Sequence, residues 1–161
     1  MNRFFLTAVC ALMHVCALTW AGPLEDGVAA HQRGEYAAAV SAFRILADSG
    51  NAAAQFNLGQ MYRQAQGVSR DSVEAARWYH RAAAQGDGQS QYNLGVMYYN
   101  GQGVARNFAF SHMWLTLSAM SGAEIAVRNR AMLVKQMTPE QIAEALRLAR
   151  ACKQRDFKDC D

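Results

Sequence analysis

Apolar residues recur every three or four positions along most of the chain after residue 22. This spacing gathers them on one side of a helix and predicts a succession of helices. The apolar positions of one predicted helix pair are Ala54, Leu58, Met61 and Tyr62 in its first helix and Val73, Ala76, Trp78, Tyr79, Ala83 and Ala84 in its second.

Turn and cap residues mark where these helices begin and end. Gly67 predicts a turn, Asp71 can accept hydrogen bonds at the start of the next helix, and Gly86 can adopt the left-handed conformation that ends it. The matching residues further along the chain are Gly103, Asn107 and Gly122. The predicted unit is therefore a pair of helices joined by a short turn.

This unit is repeated. Residues 55–62 (QFNLGQMY) align with residues 91–98 (QYNLGVMY) at a shift of 36 residues, and the same shift pairs Trp78 with Trp114. An internal period of roughly 20 to 50 residues indicates a stacked array. The best repeats cover residues 52–87 and 88–123, a degenerate repeat covers 24–51, and capping helices cover 124–161, where Thr138 and Gln141 form a predicted capping box. The fold class is all-α, a right-handed superhelical solenoid of about four antiparallel helix pairs.

Gly59 and Gly95 stand inside predicted helices, where glycine costs about 1 kcal/mol relative to alanine. We expect close approach of the paired helix to offset this cost, through the alanine-rich side of residues 75–83. The aromatic residues Trp78 and Trp114 are expected to fill the core beside them.

Residues 1–21 differ from the rest of the chain. Arg3 precedes an apolar stretch that ends in Thr19, Trp20 and Ala21, directly before Gly22. This order is typical of a secretory signal peptide, so we predict cleavage before Gly22 and a mature helical repeat domain of residues 22–161. The protein is then periplasmic or secreted, without stable membrane insertion. A retained membrane anchor is the alternative.

The repeated residues carry a family resemblance. The order Asn-Leu-Gly-x-Met-Tyr, then Gly-x-Gly-Val, then Trp-Tyr or Trp-Leu and a final glycine resembles the Sel1-like repeat (SLR), a relative of the tetratricopeptide repeat. Ala65 departs from this pattern because it replaces the first turn glycine that Gly101 keeps, and Asn107 replaces the usual aspartate. The resemblance implies a scaffold for protein complexes. Neither departure threatens the fold, since Ala65 costs at most a turn adjustment and Asn is also a good helix cap.

Cys152 and Cys160 are the two cysteines that remain after the predicted cleavage. In an oxidising compartment such a pair is most simply a disulfide, and reactive free thiols are the alternative. The resemblance adds that cysteine-rich members of the family use the same spacing to staple a helix pair to the next helix. The bond would fold residues 153–158 back over the open end of the solenoid.

Charge and motifs restrict the function. The formal net charge is +3, and Lys and Arg do not cluster, which argues against a nucleic-acid partner. The histidines His31, His80 and His112 show no metal-ligand spacing, and the serines belong to no Gly-x-Ser-x-Gly or Ser-x-x-Lys motif. Glu140 and Glu144 are most simply a solvated helix face. We predict no enzyme activity, no catalytic residue, no metal site and no cofactor.

Three functions remain open. The first is an exported adaptor or scaffold that binds a partner protein or peptide on the concave face of the solenoid. The second is a ligand-binding protein or weak hydrolase acting on the cell wall or on β-lactam compounds, by analogy with cysteine-rich members of the family. The third is a regulator of another exported factor. The partner's identity does not follow from the sequence.

The binding surface is predicted from the helix positions that packing does not need. On the first helix of each pair, these positions form a stripe that faces away from the paired helix. We expect this stripe to line the concave side of the solenoid. The partner-binding residues are Phe56, Asn57, Gln60, Arg63, Tyr92, Asn93, Val96, Tyr99, Asn100 and Arg128, and the stripe also includes Gln64, Asn129, Met132 and Lys135. Amides can bond a peptide backbone while tyrosines bury area. Alternatively, Asn57 and Asn93 bond neighbouring backbone and the other residues are solvated.

Overall fold

The computed structural model describes residues 22–160, and the predicted signal peptide lies outside this range. Residues 22–160 contain eight α-helices and no strand. The helices are α1 (Pro23–Gln32), α2 (Tyr36–Asp48), α3 (Ala52–Gln64), α4 (Ser72–Ala83), α5 (Gly88–Asn100), α6 (Phe108–Met120), α7 (Glu124–Val134) and α8 (Pro139–Gln154).

The helices form a stack of hairpins. Helix α1 packs on α2, α3 on α4 and α5 on α6, and successive pairs are joined because α3 packs on α2, α5 on α4 and α7 on α6. The last two helices depart from this arrangement, since α7 and α8 both take α6 as their main partner. The predicted all-α repeat solenoid is confirmed.

Side-chain caps begin the helices where the sequence predicts them. The Asp71 carboxylate accepts two backbone N–H groups of α4 at 2.9 and 3.0 Å, and the Asn107 amide oxygen accepts two of α6 at 2.9 and 3.1 Å. Thr138 and Gln141 form both bonds of a capping box at the start of α8. These predicted caps are confirmed, and each stabilises its helix by about 1 kcal/mol.

Ala65 leaves the fold of the turn unchanged. Its φ is 59°, which is the left-handed conformation that Gly101 adopts with φ 69° at the matching position. The turn is not adjusted, because alanine accepts the left-handed conformation itself, at a cost of roughly 1 to 2 kcal/mol.

The core follows the stack as three apolar clusters. Phe43 and Trp78 belong to the first, Trp114 to the second, and Leu115 and Leu133 to the third. Trp78 is 5% exposed and Trp114 is 0% exposed, which confirms their predicted place in the core. Within residues 22–160, no helix combines the length and the apolar character needed to cross a membrane.

The glycines inside α3 and α5 allow the paired helix to approach closely. A Cβ atom at Gly59 would lie 2.7 Å from the ring of Tyr79, and one at Gly95 would lie 2.7 Å from Leu115 Cγ. The predicted close approach is therefore confirmed. The predicted partner is wrong, because a large side chain of the second helix, and not its alanine-rich side, fills the space above each glycine.

The second turn glycine of each repeat touches the repeat before it. A Cβ at Gly67 would lie 2.5 Å from the carbonyl of Tyr36, at the start of α2, and a Cβ at Gly103 would overlap the carbonyl of Ser72, at the start of α4. Both glycines have φ 70°. Glycine is therefore required at these positions for two reasons. The backbone is left-handed, and a Cβ atom would collide with backbone atoms of the preceding repeat that cannot move aside.

Buried glutamines join the same neighbouring repeats. Gln55 donates from Nε2 to the carbonyl of Ala47 at 3.0 Å, and Gln91 donates to the carbonyl of Ala83 at 3.3 Å. The two glutamines are 4% and 1% exposed. Each bonds a carbonyl in the last turn of the preceding second helix, and these two carbonyls also accept the backbone N–H groups of Gly50 and Gly86 at 3.1 and 2.9 Å.

The C-terminal tail returns to the middle of the stack. Cys152 and Cys160 are joined by a disulfide with their Cα atoms 4.9 Å apart, and both are buried in the second apolar cluster. A Cβ at Gly86 would lie 3.3 Å from the ring of Phe157, so the tail lies beside the end of α4. The sequence places it instead over the open end of the solenoid. The difference arises because α8 packs back on α6.

We predict that Gly103→Ala destabilises the protein by about 3 to 5 kcal/mol. The substitution adds a left-handed alanine and overpacks the carbonyl of Ser72. The measurement is the urea dependence of unfolding, followed by circular dichroism.

Gly122→Ala is the matched control for this substitution. Gly122 has φ 92°, but a Cβ there would meet no atom within 4 Å. Its substitution tests the backbone conformation alone, and we expect a loss of about 1 kcal/mol. Equal losses for the two variants would show that the contact between repeats is unimportant.

We also predict that the exported protein has no free thiol and that Cys152→Ala/Cys160→Ala lowers the free energy of unfolding by about 2 to 3 kcal/mol, from loop closure in the unfolded state. Thiol labelling without reductant and urea unfolding measure the two effects. Two reactive thiols in the native exported protein would show that the pairing is wrong.

Candidate functional site

The first helices α3, α5 and α7 share one side of the stack, which we name the first-helix face. The ten residues predicted to bind a partner lie on these helices. The exposed members are Arg63, Tyr99, Asn100 and Arg128, and the half-buried members are Phe56, Asn57, Gln60, Tyr92, Asn93 and Val96.

Two tyrosine–amide bridges connect α5 to α7 and to the turn that follows α7. Asn129 donates from Nδ2 to the Tyr92 hydroxyl at 3.1 Å, and Gln136 donates from Nε2 to the Tyr99 hydroxyl at 3.1 Å. The two tyrosines are seven residues apart, and so are the two amides. The two tyrosines therefore lie about two helical turns apart on α5.

A pocket of about 270 Å³ lies between α5 and α7, and we name it the α5–α7 pocket. Its floor is apolar, and amides and a phenol form its rim. The lining residues are Gly95, Val96, Tyr99, Asn100, Leu115, Asn129, Met132, Leu133 and Gln136.

A second pocket of about 370 Å³ lies between α3 and the N-terminal half of α5, and we name it the α3–α5 pocket. The lining residues are Phe56, Gln60, Gly88, Gln89, Tyr92, Asn93, Ala123 and Ile125. Tyr92 lines this pocket while its partner Asn129 lines the other, so their hydrogen bond forms the wall between the two pockets.

Seven of the ten predicted residues line one of these two pockets, and Asn57, Arg63 and Arg128 line neither. The lining residues that were not predicted from the sequence are Leu115, Leu133, Gln136, Gly88, Gln89, Gly95, Ala123 and Ile125. A signal for Gln136 was present, because Asn129 and Gln136 repeat the seven-residue spacing of Tyr92 and Tyr99.

The asparagines of α3 and α5 also bond their own helices. Asn57 donates to the carbonyl of Ala53 at 2.9 Å, and Asn93 donates to the carbonyl of Gln89 at 3.1 Å. This is the arrangement of the alternative interpretation. Each of these hydrogen bonds uses one N–H of the asparagine amide, which also has a second N–H and a carbonyl oxygen.

Gln60 links the α3–α5 pocket to the core. Its Oε1 accepts from the Tyr79 hydroxyl at 2.8 Å and from Arg63 at 2.8 Å. Burial raises the pKa of Tyr79 to about 12, so the phenol stays protonated and donates at neutral pH. The lining of both pockets contains no charged residue, which favours binding of apolar side chains.

Two buried serines have structural partners. Ser111 donates to the carbonyl of Gly95 at 2.7 Å, and Ser118 donates to the carbonyl of Gly88 at 2.7 Å. These bonds clamp α6 to α5. In the preceding repeat the matching residues are Ala75 and Ala82. There, apolar packing takes the place of the two serine hydrogen bonds.

The histidines lie apart in the stack and serve local contacts. His31 bonds Gln66 at 2.9 Å, His80 meets the ring of Trp114 edge-on, and His112 is buried on α6, where burial lowers its pKa. Across residues 22–160, no three His, Cys, Asp or Glu side chains converge as metal ligands would. Glu144 pairs with Arg147 at 2.6 Å on the exposed side of α8.

The comparisons with known proteins agree with this architecture. The Sel1 repeat family matches residues 52–87 and 88–122. The chain is a Sel1-repeat protein. Proteins of this kind generally mediate protein–protein interactions, and their fold is typically a non-catalytic interaction module. No curated protein matches the Sel1-repeat chain.

Two solved structures resemble this Sel1-repeat protein. A protective antigen of uropathogenic Escherichia coli strains that displays an SLR fold is 30% identical with a TM-score of 0.79, and the match covers 88% of this chain and 32% of the antigen. A Sel1 repeat protein from Oxalobacter formigenes is 28% identical with a TM-score of 0.66, over 83% of this chain and 58% of the other. The chain spans about a third and three-fifths of these two longer chains.

We predict that the Tyr99–Gln136 bridge contributes about 0.5 kcal/mol to the stability of the Sel1-repeat protein, as expected for an exposed neutral hydrogen bond. The measurement is a double-mutant cycle of Tyr99→Phe and Gln136→Leu, read from urea unfolding. If the two losses are simply additive, the bridge does not hold α7 against α5.

Proposed function

We propose that this Sel1-repeat protein is an exported adaptor that binds a partner protein or peptide on the first-helix face, which forms the concave face of the solenoid. The observation that carries the proposal is the pair of pockets on either side of the Tyr92–Asn129 bridge. Each combines an apolar floor with amide groups at its rim. Ligand sites in proteins have this composition, since apolar surface gives affinity and a few polar groups fix orientation.

Exposed side chains on the same face add contact area. Tyr99 is 37% exposed and Met132 is 57% exposed, although both line the α5–α7 pocket. Exposed apolar groups beside a concave surface are typical of binding sites. Tyrosine and methionine are also enriched at interfaces.

Export is supported by two features of the chain. Residues 1–21 have the order of a secretory signal peptide, and the disulfide of Cys152 and Cys160 belongs to an oxidising compartment. We therefore place the adaptor in the bacterial envelope or outside the cell.

The partner can be captured from that compartment. A photo-crosslinking amino acid at position 96 or 99 of the exported protein would label a chain that enters the α5–α7 pocket. The same crosslinker at position 45 is the control, because Ile45 lies on α2 and is 74% exposed. A chain captured at all three positions binds without using the pocket.

With the captured partner, we predict that single substitutions of Asn57, Tyr92, Asn93 and Tyr99 to alanine weaken binding by about tenfold at two or more positions, since few interface residues dominate affinity. Titration calorimetry measures the dissociation constants, and circular dichroism checks helicity. Ile45→Ala and Val73→Ala are controls on exposed second-helix positions. Wild-type affinity in all four variants with unchanged helicity would show that the first-helix face is not the binding surface.

A further inference from the structure

The distance between the two pockets restricts which ligands can fill both of them at once. Helix α5 contributes four lining residues to each pocket, which fall between positions 88 and 93 for the α3–α5 pocket (Gly88, Gln89, Tyr92 and Asn93) and between positions 95 and 100 for the α5–α7 pocket (Gly95, Val96, Tyr99 and Asn100). The midpoints of these segments are about seven residues apart, which is roughly 10 Å along a helix. A ligand that lies along α5 therefore meets two separate apolar openings roughly 10 Å apart.

Each opening is large enough to accept a large apolar side chain. The volumes are about 270 and 370 Å³, and the hydrogen bond of Tyr92 and Asn129 separates them. Because the wall is polar, one continuous apolar group cannot fill both pockets without breaking this bond. The arrangement fits two apolar side chains with polar backbone between them.

The polar rim selects a backbone with free hydrogen-bonding groups. The α5–α7 pocket carries the amides of Asn100, Asn129 and Gln136, and the α3–α5 pocket those of Gln60, Gln89 and Asn93. A helical ligand satisfies its own N–H and C=O groups. A peptide in the polyproline II conformation leaves them free, rises about 3.1 Å per residue and brings every third side chain to the same side. Two anchors three residues apart are then about 9 Å apart, close to the spacing of the pockets.

Charge favours an acidic ligand. The helices of the first-helix face carry Arg63, Arg128 and Arg130 but only one acid, Glu124, which pairs with Arg128 at 3.5 Å. Arg63 is bonded to Gln60 at the rim of the α3–α5 pocket. The three helices therefore carry two more cations than acids, and Arg63 lies at the rim of one uncharged pocket, where it can attract a carboxylate that flanks an apolar anchor.

We propose that the ligand of the first-helix face is an acidic peptide in the polyproline II conformation that places two apolar side chains, three residues apart, in the α5–α7 and α3–α5 pockets. This inference rests on the proposed function and adds the chemistry of the partner. It assigns the Tyr92–Asn129 bridge the role of a spacer that sets the distance between anchors.

Fluorescence anisotropy with labelled synthetic peptides tests the spacing. The parent probe is Glu-Glu-Leu-Pro-Pro-Leu-Glu-Glu, and the comparison probes have one or three prolines between the leucines. We expect the parent to bind saturably and the other two to bind at least fivefold more weakly. A probe with lysine in place of glutamate should bind at least tenfold more weakly at low salt. Equal affinities across the spacing series, or preference for the lysine probe, would overturn the proposal.

Substitutions in the protein test each pocket separately. Met132→Asp places a charge in the α5–α7 pocket and Ile125→Asp in the α3–α5 pocket. Both positions are exposed, at 57% and 45%, so the fold should tolerate them. We expect each to weaken the parent probe at least tenfold, and Ile45→Asp, on α2, to leave its affinity unchanged. Loss in all three variants would indicate general charge repulsion and would overturn the assignment of pockets.

The captured partner separates failure of this inference from failure of the proposed function. If the partner's affinity falls in Met132→Asp and Ile125→Asp while the parent probe does not bind, the face is the binding surface but the acidic two-anchor ligand is wrong. If neither variant changes the partner's affinity, both the ligand and the binding surface are wrong.

Discussion

The contact between the turn of one repeat and the backbone of the preceding repeat determines the geometry of this protein. Gly67 and Gly103 bring their turns against the first residues of α2 and α4, at distances that exclude a side chain. The buried Gln55 and Gln91 then bond the last turns of the same second helices. Helices α2 and α4 are therefore each held near both ends by the following repeat, which restricts the angle and the distance between these repeats.

This fixed geometry places the first helices where they can form pockets. Helix α5 packs between α4 and α6. The bridge from Tyr92 reaches α7, and the bridge from Tyr99 reaches the turn after α7. Leu115 of α6 lies at the floor of the pocket between them. Binding side chains on such rigid elements lose little conformational freedom when a ligand binds. The same backbone contacts that stabilise the stack thus prepare the surface for recognition.

Local features of the fold could be predicted from the sequence, whereas features that depend on distant packing could not. The caps at Asp71 and Asn107 follow from short-range hydrogen bonding. The ring of Tyr79 reaches across the helix pair and fills the space above Gly59. Helical spacing alone does not show in which direction the Tyr79 side chain extends. The α5–α7 pocket needs the position of α7 relative to α5, which depends on how α7 packs on α6. Sequence therefore placed seven lining residues on one stripe but missed the floor and Gln136.

The difference between the two repeats explains why the pockets are not copies of each other. Tyr79 and Leu115 occupy matching positions, 36 residues apart, above Gly59 and Gly95. The longer Tyr79 fills the space beneath α3 and extends its hydroxyl to Gln60, so that position supplies a polar group to the rim of the α3–α5 pocket. Leu115 stops short, and its side chain is the floor of the α5–α7 pocket. A repeat scaffold held by glycine and glutamine can therefore vary its recognition surface through one second-helix residue without altering the contacts between repeats.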